Sequence, residues 1–186
     1  MRRNADSVIP AGLRWRTECI PHGWQKVLLF VGRLAKVKNL HWLIGQMQKL
    51  DENIGLVLVG DGDEESSLRG EVEEFNLSQR VLFAGKKMGE ELYAIMSAAD
   101  ALVLPSTFEP YGAVVAEAMQ WGTPCVVRDT CGCKVLVDGT NGVVYHSADE
   151  FAAAISVAFS MKSGTEPILP VKLRDAVDGL ILGFTK

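Results

Sequence analysis

The chain has 186 residues, 48% of them hydrophobic, enough for one domain with a full core and too apolar for a disordered segment. Nineteen basic against 23 acidic residues leave a net charge of −4, which argues against a nucleic-acid-binding surface, since such surfaces are basic. There is no apolar run of membrane-spanning length, no apolar core behind Met1 to Asp6 to make a secretory signal, and no disulfide framework in four cysteines, so a reducing, cytoplasmic setting is expected.

Taken in order, residues 7–13 read as a short extended piece closing in a turn, and residues 14–25, rich in Trp and Pro, as a loop. Residues 26–31 form a continuous apolar run, the mark of a strand covered on both faces. After Gly32, Leu40, Leu43, Ile44, Met47 and Leu50 recur at helical spacing, with Asn39 as N-cap. Arg33 and Lys38 therefore lie on a strand-to-helix loop, at the strand edge where parallel sheets bind ligands. Lys36, between them, faces solvent. A second buried strand, 54–59, leads through Gly60-Asp61-Gly62-Asp63 into a helix carrying Leu68, Val72 and Phe75. A short strand at 80–84 precedes a helix whose core stripe is Leu92, Ile95, Met96 and Ala99.

Residues 101–104 read as a buried strand, 105–111 as a loop, and Gly112 to the residue before Gly122 as a helix. Another strand follows at 125–127. Asp138-Gly139 and Asn141-Gly142 mark tight turns ahead of Val143–Tyr145. A helix at 149–159 is capped by Ser147 or Asp149, and residues 161–170 form a Gly/Pro linker. Residues 172–182 look helical. This alternation of strand and helix predicts an α/β fold with a doubly wound parallel sheet, Rossmann-like, as a single domain over residues 1–186.

The stretch from Leu102 to Val127 carries the chemistry. A helix N-terminus gathers unpaired N–H groups and partial positive charge, a natural seat for phosphate. Glu109 stands just before that end and Glu117 inside the helix, with seven residues between them. Carboxylates suit hydroxyl groups, which donate hydrogen bonds to them. Phosphate in the middle with hydroxyls on either side describes a sugar nucleotide.

Glu109-Pro-Tyr-Gly, then Glu117-Ala-Met and Trp121-Gly-Thr-Pro, resembles the E-x7-E signature of retaining GT-B glycosyltransferases, in their C-terminal, donor-binding half. Ser7-Val-Ile-Pro-Ala-Gly is similar to the family's I-P-N-G. Val31-Gly-Arg33-Leu followed by Lys38 is similar to V-G-R-L-x-x-x-K, and Ala99-Asp100 with Pro105-Ser106 to A-D-x-x-V-x-P-S. The resemblance spans about residues 8–159.

It implies that Gly32, Arg33, Lys38, Glu109, Tyr111, Gly112, Ala113, Val114 and Glu117 bind the donor. Arg33 and Lys38 grip the diphosphate, Glu109 holds the sugar hydroxyls and Glu117 the ribose. Arg33, Lys38 and Glu109 carry catalysis. The expected partner is a nucleotide-diphosphate sugar, with no metal and no cofactor required. The family's N-terminal acceptor domain is expected to be absent, so the chain alone should bind donor without turnover. The full enzyme is expected to act in polysaccharide or glycolipid synthesis, with peripheral membrane association. The alternatives are a sugar-nucleotide-binding module without catalysis, a fragment whose other half comes from elsewhere, and, more distantly, a pyridoxal-dependent phosphorylase.

Three features depart from or distract from this pattern. Asp61-Gly-Asp63 has the look of the metal-binding D-x-D of another glycosyltransferase fold, but acids at a helix start are favoured by its dipole. The family's G-G-x-x-E reads Thr130-Cys131 and then Lys134. Cys131-x-Cys133 lacks the further ligands of a zinc site, and two small residues in a tight loop account for it. His22, His41 and His146 lie outside the motifs.

Overall fold

The computed structural model describes residues 2–162 together with Gly164, Glu166 and Ile168. The elements are α1 (Arg2–Cys19), β1 (Lys26–Val31), α2 (Leu40–Met47), β2 (Ile54–Val59), α3 (Glu65–Glu74), β3 (Val81–Gly85) and α4 (Gly89–Ala98). They continue with β4 (Ala101–Leu104), α5 (Ala113–Gln120), β5 (Cys125–Arg128), β6 (Gly142–Tyr145) and α6 (Ala148–Met161). Short 3-10 turns lie at Lys36–Lys38 and Gly132–Leu136. The expected strands are found to within a residue or two. The helix expected at 172–182 and much of the 161–170 linker lie outside the described residues.

The strands pair in parallel in the order β3-β2-β1-β4-β5-β6. Strand order therefore reverses between β1 and β4, and the loops leaving those two strands flank the reversal. In open parallel sheets this is where ligands bind. β2 and β4 are buried at every position, which requires cover on both faces. The helices group as α2, α3 and α6, and as α1, α4 and α5. Trp42 on α2 stacks on Tyr145 of β6 at 5.8 Å and meets Phe151 of α6 edge-on at 4.9 Å.

The first twenty residues correct the sequence reading. Residues 7–19 are helical, although Pro10 sits inside the helix, residues 7–13 were expected to be extended and residues 14–25 to be a loop. Tertiary contact outweighs the local signal. Val8 is fully buried, and Gly12 lies so close to Ala94 and Ser97 of α4 that any side chain would collide. Arg16 donates to the carbonyls of Ala98 and Gln25 at 2.5 and 3.1 Å and pairs with Asp100 at 2.9 Å. Asp100 also accepts from the Val27 N–H at 2.8 Å and pairs with Lys26, so one carboxylate ties α1, β1 and the start of β4 together.

Two caps differ as well. Asn39 precedes α2 in the left-handed region, and its side chain donates to the Pro105 carbonyl instead of capping the helix. Ser147 occupies the N-cap of α6 without a side-chain cap bond.

His41 on α2 faces Glu64 through Nε2 at 3.0 Å and Glu71 through Nδ1. Burial lowers its pKa, but the two carboxylates outweigh burial and raise it above the ordinary 6.5. A raised histidine pKa adds stability that is complete below the unfolded value and is lost as pH rises through the folded one. The melting temperature of the wild type is thus expected to exceed that of His41→Gln most at pH 6, with the gap closing by pH 9. A gap that stays constant with pH would refute the charged pair.

Candidate functional site

The loop after β1 is fastened on both sides. Gly32 N–H donates to Val59 O at 2.9 Å and Leu34 N–H to Asp61 O at 2.8 Å, tying it to the loop after β2. Farther on, Thr107 N–H donates to Val37 O at 2.9 Å and Asn39 reaches Pro105 O, tying it to the loop after β4. The 3-10 turn between these fastenings aims Lys38 at Glu109. The two form an ion pair with side chains only 17% and 15% exposed.

Glu109 also accepts the Gly112 N–H at 3.2 Å. Burial raises the Glu109 carboxyl pKa, yet hydrogen bonds from Lys38 and the Gly112 and Tyr111 N–H groups hold it below the usual carboxylate range. The acid therefore stays ionised and fills part of the anion seat at the head of α5. The N–H groups of Ala113 and Val114 make no hydrogen bond among the described residues. Gly112 begins the helix at φ 53°, and a Cβ there would meet Cys133 Sγ at 2.5 Å. Tyr111 and Phe108 stand exposed at the mouth.

Arg33 lies on the same rim but leans the other way. It pairs with Asp63 at 3.0 Å, with both side chains well exposed. Such a pair is weak and readily exchanged for another anion. Glu117 is half-buried on α5 and makes no hydrogen bond or ion pair among the described residues. The structure thus joins Lys38, Glu109 and the head of α5 in one cluster and leaves Arg33 and Glu117 beside it without contact.

Sequence reasoning missed the support beneath this cluster. Glu109 pairs with Cys131 as a parallel β-bridge, Gly132 N–H donates to Glu109 O at 2.7 Å, and Thr130 Oγ1 donates to Ser106 O at 2.7 Å. The departure from Gly-Gly at Thr130-Cys131 was the available signal. Cys131 and Cys133 are buried, and the hydrogen bond between them together with burial pushes the Cys133 thiol up, which keeps it unreactive. Among the described residues no three His, Cys, Asp or Glu side chains are arranged to hold a metal. Asp63 serves as the Arg33 partner.

The family model for glycosyl transferases group 1 matches residues 20–173. This chain belongs to the group 1 glycosyl transferases. An uncharacterized glycosyltransferase of Methanocaldococcus jannaschii is 37% identical over 122 residues, covering 64% of this chain and 31% of that protein. Sucrose-phosphate synthase from Thermosynechococcus elongatus superposes with TM-score 0.69 at 29% identity, over 81% of this chain and 41% of that one. HepE of Anabaena, solved in complex with UDP, shares the fold at TM-score 0.68 and 23% identity, over 94% of this chain and 53% of that one.

The matched part spans about a third of the length of the curated relatives. The fold is that of GT-B glycosyltransferases, as the E-x7-E stretch implied. In this group 1 glycosyl transferase no helix among the described residues is long and apolar enough to cross a membrane. A groove lined in part by Trp24, Phe75 and Arg80 lies at the opposite rim of the sheet and contains none of the predicted site residues.

Proposed function

We propose that this chain is the donor-binding half of a retaining glycosyltransferase that moves a sugar from a nucleoside-diphosphate sugar to an acceptor hydroxyl, in polysaccharide or glycolipid synthesis. The observation that carries this is the convergence of Lys38, Glu109 and the unengaged N–H groups of Ala113 and Val114 at the strand-order reversal.

In the reaction the bond from anomeric carbon to phosphate oxygen breaks. A new bond forms to the acceptor oxygen, whose proton is released, and the nucleoside diphosphate departs with the electron pair. Cations and fixed dipoles aimed at that charge lower the barrier. Lys38 meets it directly, α5 supplies its leading amides, and Arg33 swings from Asp63 to the outer phosphate. This charge set serves the role a metal plays elsewhere, and transfer is proposed to need none.

Glu109, already ionised, accepts sugar hydroxyls on the face away from Lys38, and Glu117 accepts ribose hydroxyls. The UDP found in HepE makes UDP and UDP-sugars the first donors to try. Glu117→Gln is expected to weaken nucleoside diphosphate binding with or without the sugar, and Glu109→Gln to weaken only the sugar-bearing donor, each about fivefold or more, the worth of one hydrogen bond. Calorimetric titration reads both. Identical profiles for the two variants would end this division of roles. Donor binding without transfer, with turnover restored by adding an acceptor-binding half, would favour the enzyme over a binding module.

A further inference from the structure

A second, smaller cavity of about 90 Å³ lies at the carboxyl ends of β5 and β6, apart from Lys38 and Glu109. Its walls are Trp42, Arg128, Tyr145, His146, Ser147 and Ala148. What distinguishes it is a surplus of donors. Tyr145 is 1% exposed, and its hydroxyl has no partner among the described residues. Native proteins pair nearly all such groups.

The Arg128 side chain, half-buried, makes no hydrogen bond or ion pair among the described residues. Burial, with Cys131 and Asp129 nearby, pushes the phenol pKa up against the opposing charge of Arg128, which lines the same cavity, so the hydroxyl keeps its proton. Ser147 and Ala148 open α6, a helix of 14 residues that no side chain caps, so its first N–H groups and dipole add to the same wall.

No carboxylate lines the cavity. The two nearest acids are both engaged by His146: Asp129 by its Nδ1 at 3.3 Å, and Glu150 by its main-chain N–H at 2.8 Å. Asp149 is exposed in the first turn of α6 and is not part of the lining. Water could satisfy the hydroxyl, but it leaves a half-buried guanidinium without a counter-charge. An oxyanion satisfies all three donors at once, and arginine's planar fork is suited to it.

We propose that this cavity binds one phosphate-sized oxyanion, either free or as the phosphate group of a monoester, held by Arg128, the Tyr145 hydroxyl and the first amides of α6. The proposal is independent of the donor site. The test is calorimetric titration with inorganic phosphate of the wild type and of Lys38→Ala, Arg128→Gln and Tyr145→Phe. One saturable event is expected in the wild type, retained in Lys38→Ala, weakened about fivefold in Tyr145→Phe and at least about tenfold in Arg128→Gln.

Tyr145→Phe conserves shape, so it keeps the test alive if Arg128→Gln fails to fold. It also has a second readout. In phosphate-free buffer it should melt at or above the wild type, because it removes a buried hydroxyl that lacks a partner, and in saturating phosphate it should melt below. Competition by glucose 6-phosphate would identify a monoester site; its absence would identify a free-anion site. No saturable binding to the wild type, or binding that is lost in Lys38→Ala and unchanged in the other two, would overturn the proposal.

Discussion

Lys38→Ala should weaken binding of a nucleoside diphosphate about 10- to 150-fold, the range of about 1.5–3 kcal/mol for a charge-assisted hydrogen bond. The same change at Arg33 should cost less. Lys38 is largely sheltered, whereas the Arg33 side chain is 68% exposed and its charge is screened by water.

Loss of Lys38 also leaves Glu109 sheltered with only amides to hold its charge, so the carboxyl pKa climbs back. A depressed carboxyl pKa contributes stability above the ordinary value of 4.5 and loses it as pH falls through the folded value. Acid unfolding of Lys38→Ala should therefore begin at a higher pH than in the wild type. Calorimetry for affinity and a pH series of melting curves check the two parts. Unchanged affinity in a well-folded Lys38→Ala protein would remove Lys38 from the site.

The second large effect is expected far from any charge. Gly60→Ala should lower the melting temperature by about 6–12 °C, which for a chain of this length corresponds to about 3 kcal/mol. Gly60 sits at φ 144°, where side chains are strained, and an added Cβ would collide with the carbonyl oxygen of Gly32. The obstacle is backbone, and both loops are fixed by the hydrogen bonds from Gly32 to Val59 and from Leu34 to Asp61, so neither can yield cheaply. Gly139→Ala is the control. Its φ is also positive, at 79°, but no atom lies within 4 Å of the added Cβ, so only the conformational cost of about 1 kcal/mol applies. Equal losses in the two variants would show that strain, not the collision, sets the cost at Gly60. Because Gly60 holds the loop that carries Arg33 and Lys38, donor affinity should fall with stability.

Some parts of this molecule could be read directly from the chain. The apolar runs at Lys26–Val31, Ile54–Val59 and Ala101–Leu104 became strands with those boundaries, since a strand buried on both faces has no alternative to continuous apolar sequence. The amphipathic periods of α2 to α6 were legible for the same reason. Motif order placed Lys38 and Glu109 at one site although 71 residues separate them, but not their direct pairing. The first helix was not legible. Pro10 and the polar average of the segment point away from a helix, and the close packing of Gly12 on Ala94 and Ser97 of α4 makes one favourable.

The amino-acid sequence by itself determined the strands, the helices after the first and the parallel α/β architecture. These follow from local periodicity, which the chain carries whatever it packs against. Only the tertiary structure decided that Glu109 takes both Lys38 and the head of α5, that Arg33 turns to Asp63, that Cys133 fills the space under Gly112, and that Arg128 and Tyr145 share a cavity lined by no carboxylate. Those outcomes depend on distances between loops far apart in the chain. Such distances are set by strand order and by close backbone approach, and neither leaves a period in the sequence.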